Sequence, residues 1–360
     1  MSFPSLKIGD LTVRTPIIQG GMGVGISLSG LASAVAESGG IGVIAAAGIG
    51  MSRPGYATDF IRTNNEALSD EIRAARAKTS GALGVNIMVA LTNYADMVGT
   101  AVREGIDAIF SGAGLPLDLP AHLPEGARTK LIPIVSSARA AAILCKKWLS
   151  RFGRTPDAFV VEGPMAGGHL GFKPDQVDDP SHTLEKLVPE VIEGVRPFAG
   201  PDGNPIPVIA AGGVYTGADI RKFILMGAAG VQMGTRFVAT DECDADIAFK
   251  EAYVKATKDD IGIIQSPVGL PGRAIRNEFL VEAAKGNRRP KLCPFNCVHS
   301  CDHATTPYCI MMALMNAKRG KLDHGFAFAG QNAWRVDRIM PVKELMESLE
   351  AEYDQAAAQE

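Results

Sequence analysis

Short apolar runs recur along the chain, each followed by a turn and then by a stretch with helical periodicity. The runs cover residues 16–19, 41–47, 83–89, 108–111, 131–135, 158–162, 207–211 and 230–233. Helix-like stretches lie between them at 28–38, 67–78, 94–104, 137–152, 184–196 and 217–226. The runs are apolar almost throughout, without the alternation of a half-exposed strand, so each must be covered on both faces. Eight strands of this kind alternating with helices over roughly 240 residues predict a closed (β/α)8 TIM barrel within the α/β class. Gly105 and Gly227 follow predicted helices and read as C-terminal caps.

The pattern changes after the eighth unit. Residues 245–257 read as a helix, 261–279 as an irregular segment, 293–309 as a cysteine-rich loop and 342–360 as an amphipathic, charged helix. Residues 1–240 are therefore expected to form the barrel, and residues 241–360 a C-terminal helical and loop extension packed on it. Neither internal repeats beyond the βα unit nor low-complexity segments stand out.

Composition narrows the picture in three ways. Hydrophobic residues make up 46% and charged residues 21% of the 360 positions, as in an ordinary globular protein. A net charge of −3 gives no electrostatic basis for binding nucleic acid or an anionic membrane. The longest apolar runs are interrupted by glycine and fall short of a membrane span, and no basic-then-apolar leader opens the chain. A cytoplasmic protein is expected.

Candidate chemistry gathers at the predicted strand ends, where barrel enzymes keep their sites. The sixth strand breaks into Glu162-Gly-Pro-Met-Ala-Gly167-Gly168-His169. Paired glycines let backbone approach a ligand, and a histidine on such a turn can exchange a proton near neutral pH; an idle loop histidine is the competing reading. The first strand ends Gln19-Gly20-Gly21-Met22, where the glycines expose backbone N–H groups and Gln19 offers an amide. Asn86 stands inside the apolar third strand, which is costly unless its amide is paired, either with neighbouring backbone or with a heteroaromatic ligand. The seventh strand ends Ala211-Gly212-Gly213 and the eighth Gly234-Thr235, the two places where barrels build a phosphate site. No Walker lysine loop and no Gly-x-Gly-x-x-Gly opening a first βα unit is present.

Taken together, the chain resembles the nitronate monooxygenase (2-nitropropane dioxygenase-like) family, which includes flavin-dependent enoyl-acyl-carrier-protein reductases. Five ordered segments carry the likeness over about residues 5–280: Pro16-Ile-Ile-Gln-Gly-Gly-Met, Gly84-Val-Asn-Ile-Met, Glu162-Gly-Pro-Met-Ala-Gly-Gly-His, Ala210-Ala-Gly-Gly-Val and Met233-Gly-Thr-Arg-Phe. The resemblance implies an FMN-binding barrel. Gln19, Gly20, Gly21 and Met22 would lie along the flavin, with Asn86 at its ring. Gly167 and Gly168 would approach the ribityl or phosphate region, while Ala211, Gly212, Gly213, Gly234 and Thr235 would hold the phosphate. Glu162 would also belong to the cofactor site, and His169 would be the catalytic acid or base. The activity implied first is oxidation of alkyl nitronates to carbonyl compounds and nitrite. The alternative is NAD(P)H-dependent reduction of an enoyl thioester, with acyl carrier protein as a partner. Glu162, where many nitronate monooxygenases have Gln, and Ser266-Pro-Val-Gly-Leu-Pro-Gly-Arg273 resemble the reductase branch. A flavin or iron–sulfur redox carrier without small-molecule turnover is a third reading, and a homo-oligomer is a further expectation.

The resemblance leaves one feature unaccounted for. Four of the six cysteines, Cys293, Cys297, Cys301 and Cys309, follow a C-x3-C-x3-C-x7-C pattern. In a cytosolic chain such clustering favours metal or redox chemistry over disulfides. A 4Fe-4S cluster, a zinc ion, or thiols without metal are the open readings, with His299 and His303 as alternative ligands and Pro294 and Pro307 stiffening the loop. Cys145 falls on an apolar helical face and reads as core. His122 and His182 read as solvated. Phe172 and Lys173 stand either at a substrate pocket or on the surface, the segment from Gly330 to Arg335 is a candidate to return to the barrel mouth, and Arg273 and Arg276 read as phosphate ligands or salt-bridge residues.

Overall fold

A computed structural model describes residues 3–293 and 295–359 of the chain; Pro294 lies outside them. Eight parallel strands form one sheet: Ile17–Gln19, Gly42–Ala45, Leu83–Met88, Ala108–Gly112, Lys130–Val135, Phe159–Glu162, Val208–Ala211 and Gly230–Met233. Each pairs with its sequence neighbour, the eighth pairs with the first, and a parallel bridge from Ile18 to Ile41 closes the ring between first and second. This is the expected α/β TIM barrel.

Side-chain alternation explains the unbroken apolar runs. Ile18, Val43, Phe110, Ile132, Val160 and Ile209 share the barrel interior, which an N-terminal hairpin of Leu6–Ile8 and Leu11–Val13 seals from below with Leu6, Ile8 and Val13. Their neighbours Ile17, Ile44, Ile109, Leu131, Val161 and Val208 belong to the larger cluster under the helices. A strand wet on neither face has no place for polar alternation.

The outer helices are Ser29–Glu37, Phe60–Arg76, Tyr94–Arg103, Ala138–Phe152, Leu184–Val195 and Gly217–Leu225. Local chemistry sets their ends. Ser137 caps one helix by accepting from the Ala140 N–H, and Thr216 and Asp219 form a reciprocal capping box on another. Gly105 and Gly227 take φ of +69° and +98° just past helix ends, as C-terminal caps require. The helix of 29–37 opens at Leu28, which has no capping side chain. Asp244 supplies the cap instead, accepting the N–H groups of Leu28, Gly30 and Leu31 at 2.7, 3.1 and 3.1 Å. The segment after the barrel thus latches the first helix of the barrel.

The tail helix Val342–Ala357 does not sit apart from the barrel. It packs against the helices Gly217–Leu225 and Ser29–Glu37, which follow the seventh and first strands of the barrel. Its Leu345, Met346, Leu349 and Tyr353 are buried in the same cluster as the barrel helices, and Glu352 accepts the Gly217 N–H at 2.7 Å. The eighth outer position, left open because the helix Thr235–Val238 is only four residues long, is filled from the chain terminus. The intervening segment crosses the mouth of the barrel. Its residues 261–279, expected to be irregular, instead form the antiparallel strands Ile261–Gln265 and Pro271–Ile275 before the helix Glu278–Ala284. The Pro, Gly and Ser residues that suggested irregularity fall mainly in the turn between the two strands.

If the tail helix is a wall of the barrel, truncating a fully buried side chain on it should cost what a core deletion costs. Leu349→Ala should destabilise by about 2–5 kcal/mol, while Leu225→Ala, at a site 61% exposed, should change stability by less than about 0.5 kcal/mol. Urea unfolding of the two variants measures this. Equal, small effects would make the tail an accessory.

Candidate active site

The barrel mouth holds a cavity of about 280 Å³, lined from the ends of the strands and roofed by the crossing segment. Gly20, Gly21 and Met22 from the first strand end and Asn86 from the third lie on one wall. Glu162, Gly167, Gly168 and His169 from the sixth lie on another, and Ala211, Gly212, Gly213, Gly234 and Thr235 from the seventh and eighth close the floor. These residues, distant in sequence, are brought together by strand order alone.

The glycines are required by space as well as by backbone angle. A Cβ on Gly21 would stand 2.3 Å from the Asn86 Cβ, and one on Gly167 would meet the backbone of Ala329 and Gly330 at 2.5 Å. Gly212 and Gly213 have φ of +90° and +99°, open to glycine at little cost. Asn86 Nδ2 makes only a long 3.4 Å contact with the Phe110 carbonyl, which leaves its amide available to a ligand.

Gln19 is the exception. It is fully buried and absent from the cavity wall, because its Oε1 accepts the Val43 N–H at 3.0 Å and its Nε2 donates to the Gly20 carbonyl. It braces the first strand against the second. Its signal in the sequence was that of any polar residue at a strand end, and only the register of the second strand decides where its amide goes.

His169 is held by an interaction that the sequence reading did not anticipate. Gly168–His169 forms a two-residue strand that pairs antiparallel with Pro271–Ile275, and Leu170 N–H donates to Pro271 at 2.8 Å. The turn of the crossing hairpin then sets Ser266 Oγ 2.6 Å from His169 Nε2. The imidazole edge meets the Phe328 ring at 5.0 Å between centroids. Burial pushes the imidazole down to about 4, so it is neutral at physiological pH, and pushes the Glu162 carboxyl up to about 8, so it keeps its proton there. Arg273 is buried; its guanidinium donates to the carbonyls of Pro164 and Ala166 and holds the Glu162–His169 turn in shape.

Other lining residues were also missed. Gln232, inside the eighth strand, borders Gly20 and carried the same signal as Asn86, a polar residue within an apolar run. The segment from Gly330 does return to the mouth: Gly330 N–H donates to Thr235 Oγ1 at 3.2 Å, and Asn332 Nδ2 to the Gly213 carbonyl at 2.7 Å. Phe172 is buried away from the cavity, while His182 contacts Asp179 and Gln176. Cys145 is core, its thiol pushed up to about 12 by burial. Behind the seventh-strand turn, the guanidiniums of Arg236 and Arg335 lie 4.9 and 4.3 Å from the centre of the Tyr215 ring. The cavity lining itself includes no lysine or arginine among the described residues.

The family model for nitronate monooxygenase matches residues 5–352. The chain belongs to the nitronate monooxygenase family. It is therefore placed among oxidoreductases. Relatives of this nitronate monooxygenase family member differ in what they are named for. The (3aS,4S,5R,7aS)-5-hydroxy-7a-methyl-1-oxo-octahydro-1H-indene-4-carboxyl-CoA dehydrogenase of Mycobacterium tuberculosis is 30% identical over 276 residues, 77% of this chain and 67% of the relative. A probable nitronate monooxygenase of Staphylococcus aureus is 27% identical over 311 residues, 76% of this chain and 79% of the relative. Among solved structures, FabK from Thermotoga maritima superimposes with a TM-score of 0.75 at 29% identity, covering 96% of this chain and 95% of that one.

The opposed shifts of Glu162 and His169 give a pH signature. With nothing bound in the cavity, folded Glu162 keeps its proton to about 8 while an unfolded glutamate releases it near 4.5, so stability falls as pH rises across that window. His169 acts with the opposite sign from about 4 to 6.5, where only the unfolded histidine is protonated. Between pH 6.5 and about 8, Glu162 alone of the two contributes. The urea midpoint should therefore fall over that range, and Glu162→Gln should flatten the slope. A slope unchanged in the variant contradicts a buried, protonated carboxyl.

Proposed function

We propose that this protein is an FMN-dependent oxidoreductase acting at the Cα–Cβ bond of an acyl thioester, carried by coenzyme A or an acyl carrier protein, with NAD(P)H as the exchangeable redox partner. The observation that carries this reading is the neutral His169–Ser266 pair in a cavity whose lining has no cation among the described residues. A nitronate is an anion, and bringing it into such a space without a positive partner is costly. A thioester is neutral and develops negative charge on its carbonyl oxygen only as the reaction proceeds, where preorganised neutral donors act best.

The residues present fit FMN. The glycine turns at Gly20–Gly21, Gly167–Gly168 and Gly212–Gly213 leave room that any Cβ would take or strain, and the amide of Asn86 is free to meet a polar ring. Gly212, Gly213, Gly234 and Thr235 would hold the phosphate through backbone N–H groups and one hydroxyl, with Arg236 and Arg335 supplying positive charge behind them. Asn86, Gly20, Gly21 and Met22 would hold the ring system. When bound, FMN supplies the hydride chemistry.

The protein's own part is proton and charge management. His169 Nε2 and Ser266 Oγ, 2.6 Å apart, share a proton and offer a donor to the thioester carbonyl oxygen without adding net charge. Phe328, against the imidazole edge, helps to keep water from it. Glu162, protonated, is a second neutral donor within the same wall. The name of the mycobacterial relative, a carboxyl-CoA dehydrogenase, supports a thioester substrate.

His169→Ala should keep FMN bound and lose turnover by about 100-fold or more. Ser266→Ala should lose about 10-fold, the worth of one hydrogen bond in the transition state. Anaerobic stopped-flow separates the substrates. Protein holding reduced FMN should be reoxidised rapidly by crotonyl-CoA, and ethylnitronate should leave the oxidised form unreduced. Rapid reduction by ethylnitronate with no response to crotonyl-CoA overturns the proposal in favour of nitronate oxidation.

A further inference from the structure

The cysteine loop is not used by the chemistry above. All four of its thiols are free, and Cys297, Cys301 and Cys309 belong to one contact cluster, with Cys293 four residues before Cys297 in the same loop. Cys297 is buried and the others are half-buried, and Leu91, Val298, Tyr308 and Met311 belong to the apolar cluster that holds Cys297, Cys301 and Cys309. Tyr56, 5% exposed, meets the loop through Phe295, with ring centroids 5.1 Å apart, and its buried hydroxyl makes no hydrogen bond of good geometry.

The loop is anchored and not merely draped. Thr92 N–H donates to the Cys297 carbonyl at 3.2 Å, His299 N–H to Ala90 at 3.0 Å, and Leu91 bridges Val298. Cys309 opens the helix Ile310–Lys318. Val298 and Ile310, each one residue from a cysteine, line the cavity. The four thiols therefore stand just behind its wall.

Among the described residues, no three His, Cys, Asp or Glu side chains are arranged to hold a single metal ion. A tetrahedral zinc site needs its thiolates at about 2.3 Å from one centre, hence nearly in contact with each other. In an iron–sulfur cube each thiolate binds a different corner iron, so four thiols can surround the site and still stand apart. An unpartnered hydroxyl and apolar walls suit such a group, whose inorganic sulfurs accept weak hydrogen bonds.

We propose that Cys293, Cys297, Cys301 and Cys309 are the four ligands of a [4Fe–4S] cluster seated behind the wall of the barrel-mouth cavity. The site does not depend on the FMN reading, since it shares no residue with the flavin cradle. The full chain, purified anaerobically or reconstituted with ferrous iron and sulfide, should contain about four iron and four acid-labile sulfide per chain. Cys297→Ser and Cys309→Ser should lower iron to less than about one per chain while flavin content is retained, and Cys145→Ala should leave iron unchanged. If the buried Cys297 variant misfolds, the half-buried Cys301→Ser serves the same purpose. About one zinc per chain without sulfide, or four titratable thiols without metal after reconstitution of wild-type protein, overturns the proposal. Loss of iron with flavin retained, or of flavin with iron retained, tells the two sites apart.

Discussion

One short backbone pairing holds the site together. Gly168 and His169 leave the sixth strand and pair with Arg273 and Gly272 of a hairpin that arrives about a hundred residues later in the chain. Without that pairing the turn after Glu162 is a loop with a free histidine. With it, the hairpin turn sets Ser266 against the imidazole, and Arg273 satisfies the carbonyls of Pro164 and Ala166 that the turn leaves unpaired. A buried carbonyl without a donor costs free energy comparable to a lost hydrogen bond, so the turn and the hairpin specify each other.

The same arrangement divides the cavity by charge. Guanidiniums gather behind the glycine turns of the seventh and eighth strands, while the wall around His169 is neutral because burial keeps the imidazole unprotonated and Glu162 protonated. Both groups are neutral for the same reason, the burial that disfavours their charged forms. Relatives named for a CoA-linked dehydrogenase and for a nitronate monooxygenase are similar to this chain over 77% and 76% of its length, so membership of the family does not by itself name a substrate.

Strand order and the glycine ends were legible because they are local. The unbroken apolar runs required double coverage, and Gly20, Gly21, Gly212 and Gly213 marked where backbone must turn sharply beside open space. What escaped was long-range. Gln19 offered an amide that the second strand takes up through its Oε1, and Ser266 stood in a segment expected to be irregular that folds as a hairpin onto residue 169. The tail helix was legible as amphipathic, but not that its apolar face closes the eighth place of the ring. In each case the deciding partner lies in a different element, where neither spacing nor periodicity reaches.

That tail helix also explains why the chain must cross the mouth at all. The eighth strand and its outer helix are separated by about a hundred residues, so everything inserted between them starts and ends on the barrel. Both ends are pinned, by Asp244 on the first helix and by Val342 N–H on Glu242 at 2.9 Å. A segment of that length tied at both ends pays only a modest closure entropy, and it can roof the cavity, place Ser266 and carry the cysteine loop without being an independent domain. Since the roof and the eighth wall are one continuous piece of chain, loosening the tail helix should loosen the hairpin that holds His169. The His169–Ser266 contact is thereby tied to the closure of the barrel itself.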